Sequence, residues 1–334
     1  MSINSVAGAS PSWLTELSQY TKSHTGKAVW QLLNTILPYL ALWSVMIYLM
    51  FHNYSYWITF GLTIPAACLT VRAFILFHDC CHGSFFASRR ANRIVGYITG
   101  ILTFTPFEEW RRLHNVHHAT SGDLDRRGIG DIWTMTVKEY KDAGRGLRFA
   151  YRLVRNPLLM LGFGPIFLFL YTNRFTHSES KKEERRSVII TNTSLLFIVA
   201  GMSWFIGIQT YLLIQLPILL FAGSIGIWLF YVQHQYEQAY WTKNEDWNLL
   251  QSALKGSSFY KLPKILQWVT GNIGFHHIHH LRPRIPNYHL QSCNENVPVL
   301  KEVPALTFLG SLKSLNLHLW DEDSQKLVSF RAVK

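Results

Sequence analysis

Long uncharged apolar stretches constrain the fold of this chain more than any other feature. Residues 188–232 contain no charged side chain, and residues 29–51 and 54–77 together contain only Arg72. An apolar helix of about 20 residues is long enough to cross the hydrocarbon core of a bilayer. We therefore predict an all-α integral membrane protein with four transmembrane helices in two hairpins, which span residues 29–51, 54–77, 188–207 and 210–231.

The distribution of positive charge predicts the orientation of these spans. Each hairpin link is short and uncharged, at His52 and Asn53 in the first hairpin and near residues 207–209 in the second. Lysine and arginine, which outnumber aspartate and glutamate by 32 to 20, lie in the other connections. Positively charged loops stay on the cytoplasmic side, against the anionic leaflet. We therefore expect both termini to be cytoplasmic, and we do not expect nucleic acid as a partner.

Two further apolar segments are less suited to crossing a membrane. Residues 94–107 are too few, and residues 156–173 are interrupted by proline and glycine. If the second segment crossed alone, the histidines that follow it would lie on the opposite side from the earlier ones. We predict that both segments lie in the interface or dip into the membrane and return, that residues from about 298 form a cytosolic tail, and that residues 1–334 are one domain. No cleavage site follows the polar first 28 residues, so we expect the first span to be retained.

Most of the fifteen histidines fall in clusters just beyond the ends of apolar segments. In HDCCH they are spaced i, i+4, and in both HNVHH and HHIHH the spacing i, i+3, i+4 places three imidazoles on one helical face. A lone histidine follows the fourth span in YVQHQ. The predicted topology brings nine to the cytoplasmic side: His78, His82, His114, His117, His118, His234, His276, His279 and His280.

Nine imidazoles on one side of a membrane indicate a metal centre held in a cytosolic cap. Neutral imidazole binds iron, copper, zinc and nickel well, and nine ligands are too many for one ion. We predict two metal ions with four or five nitrogen ligands each. Isolated histidines are expected to be polar interface residues: His24, His52, His177, His289 and His318. The four cysteines form no metal or disulfide pattern, so we expect free thiols.

Several other residues near the clusters are candidates for supporting roles. Carboxylates can fix the orientation of ligating imidazoles by accepting their second N–H, and the candidates are Asp79, Asp123, Asp125, Asp131 and Glu237. His277 lies about 100° around the helix from His276, which favours a supporting or surface role. Cys80 and Cys81 are expected to be packing residues. Arg282 and Arg284 are candidates for binding a lipid phosphate, with an ordinary positive-inside role as the alternative.

The three histidine clusters resemble the H-x3-H, H-x2-H-H and H-x2-H-H boxes of membrane fatty-acid desaturases. The likeness extends to ATSGDLDRRGIGDIW after the second box and to GSSFYKLPKILQWVTGNIGFHHIHHLRPRIPNY around the third, both of which are similar to bacterial acyl-lipid desaturases. The first hairpin, YVQHQYE and the final LWDEDSQKLVSFRAVK are similar to the phospholipid delta-5 desaturases of Gram-positive bacilli.

This resemblance implies two iron ions, O2 as co-substrate and desaturation of acyl chains on membrane phospholipids in a bacterial plasma membrane. It also implies an external electron donor, a ferredoxin or flavodoxin, since the chain contains no haem-binding, dinucleotide or iron–sulfur motif. In the acyl-CoA branch an asparagine precedes the lone histidine by four residues, but here Phe230 stands there. A water, Asn272 or His277 is left as the tenth ligand.

Two other functions are compatible with part of the pattern. A hydroxylase of the same histidine-box superfamily shares the hydrogen abstraction and differs only in its product. A metal transporter or sensor is also histidine-rich, but transporter sites lie near the bilayer midplane, whereas these clusters follow helix ends beside arginines. The position of a new double bond depends on the shape of an acyl tunnel, so delta-5 is implied by the resemblance alone.

Overall fold

The computed structural model describes residues 12–333, so the predicted cytoplasmic position of Met1 and Lys334 lies outside the described residues. In chain order the helices in this range are α1 (Ser12–Glu16), α2 (Thr25–Phe51), α3 (Tyr56–Cys81), α4 (Arg89–Leu102), α5 (Phe107–Thr120), α6 (Val137–Asp142), α7 (Arg145–Val154), α8 (Gly164–Ile166), α9 (Lys182–Ile206), α10 (Ile208–His234), α11 (Leu249–Lys255), α12 (Lys264–Val269), α13 (His276–Leu281), α14 (Asn287–Asn296), α15 (Pro298–Lys301) and α16 (Phe308–Ser311). Short 3₁₀ turns lie at Leu17–Thr21, Thr172–Arg174, Asn244–Asp246, Leu312–Asn316 and Phe330–Val333, and π-helical turns flank α8 at Leu159–Phe163 and Phe167–Tyr171.

Four of these helices, α2, α3, α9 and α10, are long and apolar enough to cross a membrane. Their bounds agree with the four predicted spans to within a few residues at most ends, and α9 begins six residues earlier than predicted. Residues 52–55 link α2 to α3, and Gly207 alone links α9 to α10 with a φ of 80°. A positive φ is readily adopted by glycine, which lacks a Cβ atom. The predicted fold class, a helical protein with four apolar membrane-length helices in two hairpins, is confirmed.

The membrane-length helices bury one face and leave another exposed. Met46 on α2, Ala66 on α3 and Ile214 on α10 are fully buried between these three helices. By contrast, Trp204 and Phe205 at the far end of α9 are 86% and 78% exposed. In a helix of this length and composition, such a surface is suited to contact with lipid, and aromatic side chains favour the membrane interface.

Arg72 is the one charged residue within the first two predicted spans, and its side chain enters the protein interior. It is 3% exposed, and its Nε donates to the hydroxyl of Thr35 at 3.1 Å. Its guanidinium also donates to the backbone oxygen of Trp268 and lies 4.2 Å from the ring of that tryptophan. These contacts replace water around the charge, and they tie α3 to α2 and to α12.

The two predicted interfacial segments differ from the prediction in their bounds. The first forms α4, which begins at Arg89 and ends at Leu102, before a turn leads into α5. The second belongs to a longer apolar unit that is bent by 61° between α7 and Leu159–Arg174. At the bend the side chain of Asn156 accepts from the backbone N–H of Leu158 at 2.9 Å, so it caps the following segment as the chain changes direction. This bent unit is the one further candidate span among residues 12–333.

The short strands, which the sequence did not indicate, lie between α5 and α6 and in the chain that follows α10. We call these two segments the cap. The strands are β1 (Met135–Thr136), β2 (Phe259–Lys261), β3 (Ala305–Thr307), β4 (Leu319–Asp321) and β5 (Lys326–Val328). β1 pairs parallel to β4, β4 pairs antiparallel to β5, and β2 pairs parallel to β3. The segment predicted as a tail from about residue 298 therefore adds strands to the cap, and its Leu300, Leu319 and Trp320 are buried.

Candidate metal centre

The nine candidate histidines come from four elements, which are α3, α5, α10 and α13. His78 lies in the last turn of α3 and His82 directly follows that helix, while His234 is the last residue of α10. The other six lie on α5 and on the short helix α13. His117 and His279 are among the most buried, at 1% and 0% exposed. The structure therefore brings together all nine residues that the sequence singled out.

The nine imidazoles form two sets, within each of which the nitrogens that could bind a metal all lie within 4.8 Å of one another. We call them set A and set B. Set A contains His78, His82, His114, His118 and His279. Set B contains His117, His234, His276 and His280. The sets adjoin, since the rings of His118 and His280 stack with their centroids 4.2 Å apart.

Two helices contribute to both sets. On α5, His114 and His118 are one turn apart and belong to set A, whereas His117 belongs to set B. On α13 the division is reversed, with one histidine in set A and two in set B. An i, i+4 pair points to one side of a helix, and the residue at i+3 is rotated from the first by about 60°. One turn of each helix can therefore present ligands to two neighbouring positions.

The distances within each set match those expected between ligands of one ion. The Nε2 atom of His118 lies 3.0 Å from Nε2 of both His114 and His279. In set B, Nε2 of His234 lies 3.1 Å from Nε2 of His117 and 3.0 Å from Nε2 of His276. Two nitrogens about 2.1 Å from one metal ion and about 90° apart would be separated by about 3 Å. The imidazole nitrogens therefore fit two metal ions, one in each set.

In two histidines of set B, the Nδ1 atom of the ring lies next to a fixed hydrogen-bond acceptor. Nδ1 of His117 lies 2.5 Å from a carboxylate oxygen of Asp131, and Nδ1 of His234 lies 3.0 Å from the backbone oxygen of Gly256. An acceptor at Nδ1 leaves Nε2 free to bind a metal and fixes the direction of the ring. The role predicted for Asp131 is supported by this contact. No sequence signal pointed to Gly256, because a backbone carbonyl can come from any residue.

Asp79 has a weaker contact with its histidine and a stronger one elsewhere. One oxygen lies 3.4 Å from Nδ1 of His78, while the other accepts from the backbone and side-chain nitrogens of Asn287 at 2.7 and 2.9 Å. Because Asn287 begins α14, Asp79 holds the end of α3 to the segment that follows the third cluster. It supports the site mainly by joining these elements.

Four other candidates do not contact the rings of the two sets. Asp123 pairs with Arg126 at 2.5 Å, and Asp125 accepts from the backbone of Asn244. Glu237 is exposed and lies 3.9 Å from Lys326. Asn272 has a φ of 60° and its amide donates to the backbone oxygen of Asn287. Sequence proximity suggested these residues, but their side chains are directed into loop and surface contacts.

His277 lies outside both sets, although it is completely buried. Its ring packs against Phe259, and burial lowers its pKa to about 4, so it is neutral at pH 7. Phe230, which stands where the acyl-CoA branch has asparagine, packs against the rings of His117 and His234. Neither Asn272 nor His277 therefore completes set B. Trp110, which the sequence reasoning did not single out, stacks on His114 at 4.2 Å, one turn earlier on α5.

The buried imidazoles outside the membrane-length helices are held in the neutral form. Burial lowers their pKa values well below 6.5, and repulsion among neighbouring imidazoles lowers them further: His82, His114, His118, His276, His279 and His280. A metal must compete with protons for an imidazole nitrogen. Lowered pKa values therefore leave both sets ready to bind metal at neutral pH.

The remaining candidates lie around the centre. Cys68, Cys80, Cys81 and Cys293 are free, as predicted, and Cys80 and Cys81 are buried among aromatic side chains. Arg282 and Arg284 lie on the surface just after α13. His24, His52, His177, His289 and His318 belong to neither set.

Eight buried imidazoles and the part-buried imidazole of His82 thus form two adjoining sets, each able to hold a metal ion, in a helical protein whose four longest helices could cross a membrane. The family model described as "Fatty acid desaturase" matches residues 55–306, a range that includes all nine histidines. The chain belongs to this family, so the resemblance seen in the histidine boxes is confirmed, and the protein is an oxidoreductase.

Several characterised relatives are similar to the chain. A protein named "Fatty acid desaturase" from Bacillus subtilis is 49% identical over 319 residues, which cover 96% of this chain and 90% of the relative. The "sn-1 acyl-lipid omega-3 desaturase (ferredoxin)" of Nostoc is 28% identical, over 69% of this chain and 64% of the relative. An endoplasmic-reticulum "Omega-3 fatty acid desaturase" of Nicotiana tabacum is 27% identical, over 68% and 62%.

Proposed function

We propose that this protein is an oxygen-dependent desaturase of the acyl chains of membrane phospholipids, with two iron ions held by the nine histidines. The observation that carries the proposal is the division of the imidazoles into sets of five and four, with 3.0–3.1 Å between neighbouring nitrogens. Fatty acid desaturase membership supplies the reaction class. Iron is favoured over zinc because the reaction is a redox reaction.

The reaction requires more than the acids and bases of the chain can supply. Two hydrogens leave adjacent methylene groups, and O2 is reduced to two waters with those two hydrogens, two further electrons and two protons. Bound in sets A and B, the iron pair would supply the oxidation of unactivated C–H bonds. Reducing electrons would come from a separate ferredoxin or flavodoxin, and the printed name of the Nostoc relative includes ferredoxin.

The chain's own residues would orient the centre and keep it dry. Asp131 and Gly256 hold the rings of His117 and His234 by their Nδ1 atoms. The rings of Trp110 and Phe230 cover His114 and His117. Exclusion of water protects a reactive centre from side reactions. These residues therefore position the imidazoles and shield them.

The location and regiochemistry follow from the same proposal. The four apolar helices would cross a bacterial plasma membrane with the cap and both histidine sets in the cytoplasm, as positive charge in the connections favours. We propose the delta-5 position on the resemblance of the terminal and hairpin segments to phospholipid delta-5 desaturases. Neither the Bacillus nor the Nostoc name gives this position.

Expression in a bacterium that makes no unsaturated lipids tests the proposal. Mass spectrometry of the extracted phospholipids should find a cis double bond at the fifth carbon of saturated acyl chains. A double bond at another carbon would contradict the delta-5 assignment alone. Hydroxylated chains in place of unsaturated ones would assign the protein to the hydroxylase class, and the desaturase proposal would be wrong.

Matched variants connect the product to the histidine sets. We expect His117→Ala in set B and His279→Ala in set A each to abolish desaturation and to reduce bound iron. His52→Ala alters an exposed histidine in the hairpin link and should leave both unchanged. Full activity in either of the first two variants would refute the site assignment.

A further inference from the structure

An open cleft lies on the surface immediately after α13, the helix that carries the third histidine cluster. Its lining residues are Thr21, Leu281, Arg282, Pro283 and Arg284, and its volume is about 520 Å³. Arg282 and Arg284 are both exposed. They lie two and four residues after His280, a member of set B. The cleft therefore has two positive charges and lies close to the metal centre along the chain.

These two arginines have no carboxylate partner among residues 12–333. The ion pairs in that range involve other arginines, such as Arg126 with Asp123 and Arg127 with Glu139. Arg282 makes one long side-chain contact, 3.4 Å to the hydroxyl of Ser18. Guanidinium groups bind phosphate oxygens strongly and often with two parallel hydrogen bonds. Two free guanidiniums on one cleft thus offer a site for a phosphate.

The first turn of α2 indicates the depth of this cleft in the membrane. Thr21 of the cleft lies four residues before Thr25, where α2 begins. The charged Lys22 and Lys27 flank this point, and the exposed apolar surface of α2 starts with Val29 and Trp30. Lysine near the end of an apolar helix places that end among the lipid headgroups. The cleft is therefore at the depth of lipid phosphates.

We propose that Arg282 and Arg284 bind the phosphate of the phospholipid whose acyl chain is being desaturated, and that this contact sets which carbon reaches the metal centre. The inference rests on the proposed function, because it assumes a phospholipid substrate. It assigns to this arginine pair a role in both substrate selection and regiochemistry.

The distance from the phosphate to the fifth acyl carbon of the lipid agrees with a phosphate anchor at the two arginines and a double bond close to the ester. About nine or ten covalent bonds separate the fifth acyl carbon from the phosphorus of a glycerophospholipid, a span of at most about 12 Å. Along the protein backbone, the Cα atoms of Arg282 and Arg284 lie at most about 7 Å and 14 Å from that of His280. An anchor at this range can hold the fifth carbon at the centre, whereas a mid-chain carbon four bonds further along would lie about 5 Å beyond it in an extended chain.

The test compares two substrates that differ only in the phosphate group. Purified holoenzyme in detergent, with a ferredoxin reducing system, is given phosphatidylglycerol or diacylglycerol with the same saturated chains. The measured quantity is the rate with phosphatidylglycerol divided by the rate with diacylglycerol. For the double variant Arg282→Gln/Arg284→Gln, we expect this ratio to fall by at least about tenfold. We also expect products on phosphatidylglycerol with the double bond at neighbouring carbons. Lysine at both positions should restore part of the ratio, because it keeps the charge and loses the planar fork.

Arg90→Gln is the matched control, since Arg90 is an exposed arginine of α4 that makes no ion pair within the described residues. Its rate ratio and double-bond position should equal those of the wild type. Iron content should be the same in all variants, which separates phosphate binding from loss of the metal centre.

Four outcomes would overturn the inference in different ways. If the wild type desaturates neither lipid, the proposed function fails first. If the wild type is active and the double variant keeps its rate ratio and its double-bond position, the function stands and the phosphate anchor is wrong. If excess inorganic phosphate lowers the rates of desaturation of phosphatidylglycerol and diacylglycerol equally, the cleft binds free phosphate and not the phosphate of the substrate. If dithionite in place of ferredoxin removes the defect, the arginines bind the electron donor.

Discussion

Asp131 has the shortest contact between a carboxylate and an imidazole of either histidine set. Its oxygen lies 2.5 Å from Nδ1 of His117, and its side chain is 5% exposed. A carboxylate at this position holds the ring, keeps the proton on Nδ1 and makes Nε2 a better donor to a metal. The carboxylate would therefore act on a bound metal ion through His117.

We predict that Asp131→Asn weakens metal binding in set B. Loss of such a contact typically lowers metal affinity by about 10–100-fold, and asparagine keeps the size of the side chain while removing its charge. Competition with a chelator, followed by elemental analysis, measures the affinity. Glu237→Gln is the control, because Glu237 is exposed and contacts neither set. Equal metal retention by wild type and Asp131→Asn would contradict this role.

At the residue scale, the sequence indicated which imidazoles come together better than it indicated the residues that hold them in place. The i, i+3, i+4 spacing of His114, His117 and His118 is a property of one helix, so it can be read from the chain. Asp131 lies fourteen residues from His117 in an irregular loop, where no period indicates which side chain turns inward. Asp123 and Asp125 looked equally suitable in the sequence, but ion pairing and a backbone contact direct them elsewhere.

At the element scale, α10 is packed closely against the bent unit around α8. A Cβ atom placed on Gly223 of α10 would lie 2.6 Å from Cβ of Pro165 and 3.1 Å from the ring of Phe169. These distances are shorter than a normal carbon–carbon contact. Gly223 therefore allows α10, which ends in His234, to approach α8.

We predict that Gly223→Ala lowers the thermal stability of the protein in detergent. Overpacking of this kind costs about 1–3 kcal/mol, because Pro165 cannot change rotamer to make room. Gly226→Ala on the same helix is the control, since nothing lies within 4 Å of its added Cβ. Thermal unfolding followed by intrinsic fluorescence compares the two. If both variants unfold at the temperature of the wild type, the close approach is not required for stability.

The long helices could be predicted because hydropathy over twenty residues is a local property. For residues 156–173 the sequence left open whether the segment lies in the interface or dips in and returns, and it did not locate the bend near Asn156 and Pro157. The strands of the cap were also missed, because β1 pairs with β4 across more than 180 residues and each has two or three residues. Such short strands form only where tertiary contacts supply their partners.

At the scale of the whole molecule, α5 and α13 join the two histidine sets. Set A also takes ligands from the end of α3, and set B from the end of α10. The two histidine sets thus connect both apolar hairpins to the cap. Removal of metal is expected to loosen the contact between these parts, because a bound ion would hold imidazoles from different helices together.

We predict that the metal-free protein is less stable in mild acid. The pKa values of six imidazoles in the folded protein, including His118 and His279, are lowered well below 6.5 by burial. The unfolded chain takes up protons at these positions near pH 6.5. Below that pH the unfolded state binds more protons than the folded state, so the free energy of unfolding falls.

The measurement is the unfolding midpoint of chelator-treated protein. It should be lower at about pH 5.5 than at about pH 7.5. Protein with bound metal provides the comparison, and it should lose metal as the pH falls through the same range, since protons compete for the imidazole nitrogens. A metal-free midpoint that does not change between the two values would contradict the buried, neutral state of the imidazoles.

The most direct test of the two-site metal centre is the number of iron ions bound per chain, measured by elemental analysis of anaerobically purified protein. We predict two iron ions in the wild type and fewer in both His279→Ala and His276→Ala, which alter set A and set B respectively. One iron ion per chain in the wild type, or two in both variants, would contradict a centre built from two histidine sets.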